Sequence, residues 1–371
     1  LPAGVAGDVV AIKDYANTFD TNAVTLVQNG SDKIGGSTVN VVLSTEGLAV
    51  TLVYVDATQG WLVTDSGLQS EVPLPQYLTA TGGNSTVDCG DFRTHIFTAG
   101  GNFCVSSLGN PLGGPNSVDY LVVGGGGGGG SIISGGGGGG GFRMSNSFCM
   151  PAPTTSPLAN GTGITVSASP YTIVVGNGGA APSSGGVSTF ATITSAGGAA
   201  SGSTNCAAGN PGASGSGANW RDTPGTGSGG TGNTPPTSPS QGNNGGSSTG
   251  NNTSGGGGGA GAAGGSSPGN TNSGPGGAGS YIADGFVGTT APSYGTPGPV
   301  GSTRYFAGGG GGSSRDGPYV AGSGGAGGGG DGGKYTSVAA GAGVINTGGA
   351  GGGAGGTGGS GVVMIRYKFQ N

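Results

Sequence analysis

This sequence of 371 residues has few charged side chains and no long apolar run. Lys and Arg number 10, Asp and Glu number 15, and the formal net charge is −5. The basic residues are scattered, so the chain lacks the patch that binds nucleic-acid phosphates, and we expect no nucleic-acid partner. The apolar runs are only a few residues long, whereas spanning a bilayer takes about 20 residues.

Residues that support catalysis or metal binding are equally scarce. The sequence has one histidine, His95, and its 4 cysteines show no Cys-x-x-Cys spacing, so no metal site is predicted and we expect free thiols. Glu46 and Glu71 are the sole glutamates, and no paired carboxylates indicate a glycosidase. A lone histidine without a triad partner favours a structural role. We therefore predict no enzyme activity, no catalytic residue and no cofactor.

What the chain has in excess is glycine, with 98 residues. Each ordered glycine costs roughly 0.5–1 kcal/mol relative to alanine, so a compensating interaction is needed. Disordered chains are usually highly charged, whereas only 7% of these residues are charged and strand-like segments interrupt the glycine. The collagen period of one glycine in every three is also missing. These observations favour an ordered structure that is not collagen.

Glycine runs can form extended helices of the polyproline II type. Without Cβ atoms, such helices can approach closely and pair their N–H and C=O groups with one another. The sequence therefore predicts a polyglycine II bundle with a main-chain core. The predicted rods are Gly124–Gly130, Gly135–Gly141, Gly255–Gly259, Gly308–Gly312 and Gly348–Gly356.

The fold class predicted is all-β plus this polyglycine II bundle, with essentially no α-helix. Residues 1–75 form an N-terminal β fibre module, in which β-branched segments alternate with glycine turns and end in the linker Glu71–Pro75. Residues 76–120 form a linker and a β-hairpin, with strands at 91–98 and 102–105. Residues 121–371 form the glycine-rich tip domain. The small N-terminal module would bury little surface alone, which favours an oligomer.

Several segments together resemble a known family. They are Arg93–Phe103, Val118–Gly126, Tyr171–Gly179 and Gly359–Tyr367. They resemble the glycine-rich domain at the C-terminus of phage tail-fibre and related structural proteins, over roughly residues 90–368 of this chain. Segments 7–14, 29–35 and 52–61 look similar to β modules in the fibres of marine tailed phages.

The resemblance implies a viral tail-fibre protein on the extracellular surface of the virion, with a tip that attaches to the host. The implied partners are two further copies in a homotrimer, other virion fibre or baseplate proteins, and a host cell-surface glycan or outer-membrane protein. One alternative is a purely structural fibre or cell-surface filament subunit without receptor binding. Another is an ice-binding protein, although the irregular spacers disfavour the flat, regular face that ice binding needs.

The candidate receptor-binding residues are aromatic, Arg and Asp side chains in the spacers between glycine runs. Such side chains suit saccharide and protein surfaces. They are Trp220, Arg221, Asp222, Tyr281, Tyr294, Arg315 and Tyr319. Phe142, Phe286 and Phe306 are instead expected to plug the ends of the bundle. The net charge of −5 favours a neutral or weakly charged receptor.

Overall fold

The computed structural model describes residues 1–68, 75–204, 206–220 and 227–370. The chain divides into two compact units, Leu1–Pro75 and Gln76–Asn371. Both are built from β-strands and extended segments, and the described helices are two 3₁₀ helices, Asp284–Phe286 and Gly288–Ser293. The fold is therefore all-β, as predicted. Within the described ranges no helix is long and apolar enough to cross a membrane.

The first unit contains two small sheets around its own core. Its strands are β1 Val9–Lys13, β2 Val24–Leu26, β3 Val41–Leu43, β4 Leu48–Tyr54 and β5 Trp61–Leu68. One sheet has the order β1-β4-β5, and β2 pairs with β3 in the other. Alternate residues of β4 point inward, where Leu52 and Tyr54 pack with the fully buried Trp61. The predicted linker Glu71–Pro75 lies, except for Pro75, outside the described residues.

The second unit frames its glycine runs with two larger sheets and a separate hairpin. Its strands are β6 Thr79–Thr81, β7 Ser85–Cys89, β8 Phe92–Phe97, β9 Gly101–Ser107, β10 Ser117–Val123, β11 Phe142–Ser145, β12 Ala159–Asn160, β13 Ile164–Thr165, β14 Pro170–Val174, β15 Ser188–Phe190, β16 Ile193–Ser195, β17 Ser280–Ala283, β18 Thr303–Phe306 and β19 Val362–Lys368. The large sheet runs β12-β11-β10-β19-β8-β7, with β13 also paired to β10. The second sheet runs β16-β15-β14-β9-β6, and β17 pairs with β18.

The large sheet is buried on both faces. One face packs on the second sheet through a cluster that includes Phe97, Phe103 and Tyr367. The other face packs on the β17–β18 hairpin and the 3₁₀ helices, around Phe142, Phe286 and Phe306. These three phenylalanines, expected from the sequence to plug the ends of the bundle, are at most 1% exposed and belong to this core at the sheets. Burial on both sides explains the uninterrupted apolar segments Leu121–Val123 of β10 and Val362–Ile365 of β19.

The hairpin predicted between residues 91–98 and 102–105 is wrong. Strands exist at both places, but β8 pairs with β7 and β19, whereas β9 pairs with β6 and β14. The chain passes from one sheet to the other between them, because Phe97 and Phe103 both point into the core between the sheets. Residues 76–120 thus share sheets with strands from beyond residue 121.

His95 is a buried structural residue of β8. Its Nδ1 lies 2.6 Å from the carbonyl oxygen of Gly82 and its Nε2 lies 3.2 Å from the hydroxyl of Tyr367. Burial of the imidazole is the main cause that lowers the pKa of His95. The neutral ring is therefore favoured, with Nδ1–H donating to Gly82 and Nε2 accepting from Tyr367.

The glycine runs form extended rods with a three-residue period. A Cβ added along the run 124–130 would point in three directions in turn. Residues 124, 127 and 130 face segment 196–202, residues 125 and 128 face segment 176–181, and residues 126 and 129 face segment 349–353. A repeat of three residues per turn is that of the polyproline II helix, so the predicted polyglycine II geometry accounts for this pattern.

Main-chain hydrogen bonds join this rod to neighbours all around it. Its N–H groups donate hydrogen bonds to carbonyls of the antiparallel segments 138–141, 183–186 and 356–359. One example is the bond of 2.9 Å from the N–H of Gly127 to the carbonyl of Gly138. Its carbonyls accept N–H groups from three other segments, as in the bond of 2.9 Å from Gly351 to Gly127. The main chain of one rod is therefore satisfied by surrounding main chains rather than by side chains.

The bundle has two distinct ends. The run 124–130 leaves β10 and the run 135–141 enters β11, so both meet the sheets at the same end, which we call the sheet end. The turn 131–134 between them lies at the opposite end, which we call the tip. The predicted rod Gly348–Gly356 is wrong in extent, because the chain turns back at residues 353–355, where Gly355 adopts a φ of +101°.

Replacing Gly138 by Ala tests the main-chain core. The new methyl group would overlap the carbonyl oxygen of Ser214, which accepts an N–H bond of 3.1 Å from Ala199. We expect the free energy of unfolding to fall by about 1–3 kcal/mol from overpacking, and by a further ~1–3 kcal/mol for each main-chain group left unpaired. The measurement is urea unfolding of the variant and the wild type.

The matched control is Gly161→Ala, because no atom lies within 4 Å of a Cβ at that position. This variant should unfold like the wild type. If Gly138→Ala has the same unfolding midpoint as Gly161→Ala, the rods do not form a close-packed core.

Candidate functional site

The tip is built from turns that connect neighbouring rods. Ser134, at the end of the turn 131–134, accepts the N–H of Ser313 at 3.1 Å and the hydroxyl of Ser254 at 2.7 Å. The Oδ1 of Asn219 accepts the N–H of Gly135 at 2.9 Å. These bonds hold the residues that precede Trp220 and Arg315 against the turn 131–134.

A groove opens on the tip between these turns. It has a volume of about 200 Å³ and is lined by Ile132, Ile133, Trp220, Arg315 and Tyr335. Ile132 is 40% exposed and Tyr335 is 53% exposed, whereas Ile133 is buried. The groove thus combines two aromatic rings, two aliphatic side chains and one guanidinium group.

Asp316 connects the segment that carries Arg315 with the turn that carries Tyr335. Its carboxylate accepts the N–H groups of Thr336 and Ser337 at 3.0 and 3.1 Å, and also their hydroxyls. The hydroxyl bonds from Ser337 and Thr336 are the main causes that lower the pKa of Asp316 to about 2. The loop that carries Arg315 is thereby tied to the turn that carries Tyr335.

Backbone contacts complete this arrangement. The N–H of Arg315 is donated to the carbonyl of Asn252 at 2.8 Å, and the N–H of Tyr335 is donated to Ser314 at 3.0 Å. Each groove residue is therefore placed by a hydrogen bond of its own main chain or of a direct neighbour.

Some of the predicted site residues meet at this groove. Trp220 and Arg315 line it, and the half-buried Tyr319 belongs to the same loop as Arg315. Arg221 and Asp222 lie outside the described residues.

Tyr281 and Tyr294 lie at the sheet end, in the β17–β18 region, and are not brought to the groove. The ring of Tyr281 packs on Tyr305 with centroids 5.0 Å apart, and its hydroxyl is donated to the carbonyl of Pro153 at 3.3 Å. The hydroxyl of Tyr294 lies 2.8 Å from that of Ser85, and its ring packs on the core below the large sheet. Their contacts in the structure join secondary-structure elements to one another.

Three groove residues were not among the predicted ones, namely Ile132, Ile133 and Tyr335. A signal for the isoleucines is present in the sequence, since Ser131–Ser134 is the short spacer between two glycine runs. A turn between two adjacent rods has to lie at an end of the bundle. No comparable signal points to Tyr335, whose position depends on the loop of Arg315.

The described residues contain no group of three or more His, Cys, Asp or Glu side chains that could hold a metal ion. The four cysteines all lie within the described ranges, and none of them forms a disulfide bond there.

Replacing Asp316 by Asn tests the connection between the two tip loops. We expect faster hydrogen exchange at the amides of Thr336 and Ser337, because a neutral amide oxygen is a weaker acceptor than the carboxylate. In the wild type, the folded pKa of Asp316 is about 2 and lies below the ordinary value of 3.8 for this side chain. This stabilisation is therefore fully present above pH 3.8 and is lost as the pH falls through about 2.

Asp91→Asn is the control for this measurement, since the exposed side chain of Asp91 has no hydrogen bond in the described structure. It should leave the exchange of Thr336 and Ser337 unchanged. Equal exchange in all three proteins would show that Asp316 does not hold the loops.

Comparison with known families agrees with this architecture. A family described as "Glycine-rich domain" matches residues 98–368. A comparison with curated proteins returned no match. The match starts just after β8 and ends at the last residue of β19, so it includes the glycine rods, the tip groove and most of the framing sheets. The chain belongs to the family of glycine-rich domain proteins.

Proposed function

We propose that this chain is a tail-fibre protein of a phage virion, whose glycine-rich tip attaches the particle to the host surface. The observation that carries the proposal is the groove of Trp220, Arg315 and Tyr335 at the end of the rods opposite the sheets. Aromatic and Arg side chains are enriched among residues that dominate binding. Here they are exposed or half-buried at one end of a bundle whose interior is main chain.

The rods suit such a role because they hold the tip loops in place before binding. Ordering a loop on binding costs free energy that is subtracted from affinity. The bonds of Asp316 to Thr336 and Ser337 and of Asn219 to Gly135 connect the loops in the unbound protein. The expected partner is a host cell-surface glycan or an outer-membrane protein.

Attachment is tested with labelled full-length protein on cells that the phage infects. Trp220→Ser should reduce the amount of protein bound to the cells because it removes an apolar ring. Arg315→Ser should reduce it because the guanidinium and its hydrogen bonds are lost. The control is Tyr281→Ser at the sheet end, whose circular dichroism and attachment should both resemble those of the wild type.

If both tip variants fold and attach like the wild type, the tip is not the receptor site. A structural fibre subunit, joined to other fibre or baseplate proteins without receptor contact, would then be the better description. Gold-labelled antibody against residues 315–319 on intact particles gives an independent result, because label away from the fibre end also contradicts the proposal.

We further propose that residues 1–75 assemble this chain into a homotrimer. One row across the outer face of the β1-β4-β5 sheet is apolar, since Val9, Val53 and Leu62 are aligned in register and point away from the core. Val9 is 61% exposed, and association would remove this row from water.

Light scattering should therefore give three times the mass of one chain. Val9→Asp should lower this mass, because a buried carboxylate without a partner is costly. Val39→Asp is the control, as Val39 is 69% exposed and lies outside this sheet. A monomeric wild-type protein would contradict the proposal.

A further inference from the structure

We propose that the tip groove binds a single acidic sugar ring, whose carboxylate is held by Arg315. This inference rests on the proposed attachment function, and it names the chemical class of the receptor. It differs from the neutral receptor that the net charge alone favours.

The size of the groove limits what can fill it. Its volume of about 200 Å³ is below the ~300–1,000 Å³ of pockets that enclose drug-sized ligands. One ring with its substituents matches this space better than an extended ligand does. Longer chains attached to that ring would leave through the open side, past the exposed Ile132 and Tyr335.

The described charged side chains at the groove are positive on balance, whereas the formal net charge of the chain is −5. Arg315 is exposed, and its guanidinium makes no hydrogen bond or ion pair within the part of the chain that the structure describes. The neighbouring carboxylate of Asp316 is already occupied by Thr336 and Ser337. Lys334 contributes a second positive charge nearby, with its Nζ 3.4 Å from the carbonyl of Gly317. A guanidinium fork is well suited to binding a carboxylate.

The other walls favour a sugar over a simple anion. The faces of Trp220 and Tyr335 and the side chain of Ile132 offer apolar surface, which can pack on the C–H groups of a sugar ring. Next to Arg315, the amide of Asn252 donates to the side-chain oxygen of Asn251 at 2.9 Å, and Asn251 is exposed. These amides are polar groups near Arg315, outside the five residues that line the groove.

The test is to titrate the protein separately with glucuronate, glucose and acetate and to monitor binding by tryptophan fluorescence. Trp61 is fully buried in the other unit, so a change in signal is assigned to Trp220 and should disappear in Trp220→Phe. We expect saturable binding of glucuronate, with glucose and acetate each weaker by about tenfold or more. Arg315→Gln should weaken glucuronate binding by about tenfold and leave glucose unchanged.

Lys368→Gln is the charge-matched control, because Lys368 ends β19 at the sheet end. Lys368→Gln removes one positive charge, as Arg315→Gln does, and should leave glucuronate binding unchanged. If glucose binds as tightly as glucuronate, or if no sugar saturates the signal, the proposal is wrong. If acetate binds as tightly as glucuronate, the groove recognises a carboxylate alone and the acidic-sugar proposal is wrong.

Comparison with the attachment experiment separates the two proposals. If glucuronate binds through Arg315 but the Arg315→Ser and wild-type proteins attach to the host cells in equal amounts, the groove is a sugar site without an attachment role. If Arg315→Ser abolishes attachment while glucuronate does not bind, the attachment function is supported and the acidic-sugar ligand is wrong.

Discussion

The structure depends on hydrogen bonds between the main chains of neighbouring glycine rods. Each rod offers N–H and C=O groups in three directions, and the neighbouring rods use them all around the run 124–130. This close approach requires the absence of Cβ atoms, because a methyl group at Gly127 or Gly138 would overlap a neighbouring carbonyl. The conformational cost of ordering glycine is thus offset by main-chain pairing rather than by burial of large side chains.

The sheets provide what the rods lack, which is a specific register. Strands β10 and β19 pair with Val123 opposite Val362, and the same two segments continue as rods, where the N–H of Gly126 is donated to Gly359 at 3.0 Å. A polyglycine rod has no side chains to distinguish one position from the next. The large apolar residues of β10, β11 and β19, buried on both faces of the sheet, therefore set where each rod begins.

Because the rods pack through their main chains, large side chains are found mainly at the ends of the rods. At the sheet end, spacers such as the β17–β18 hairpin are absorbed into the core. At the tip, the described turns lie outside the sheets, and Trp220, Arg315 and Tyr335 line a groove. Among the described charged residues there, Arg315 and Lys334 are positive and Asp316 is negative, whereas the formal net charge of the chain is −5.

The sequence by itself determined the strands, which are short β-branched or aromatic segments, and the rods, because only glycine permits such close main-chain packing. Tertiary structure alone decided that β8 and β9 belong to different sheets and that Tyr281 and Tyr294 lie at the sheet end. It also decided that Ile132, Ile133 and Tyr335 join Trp220 and Arg315. These outcomes depend on which rod lies beside which, and identical glycine repeats carry no local signal that selects a neighbour.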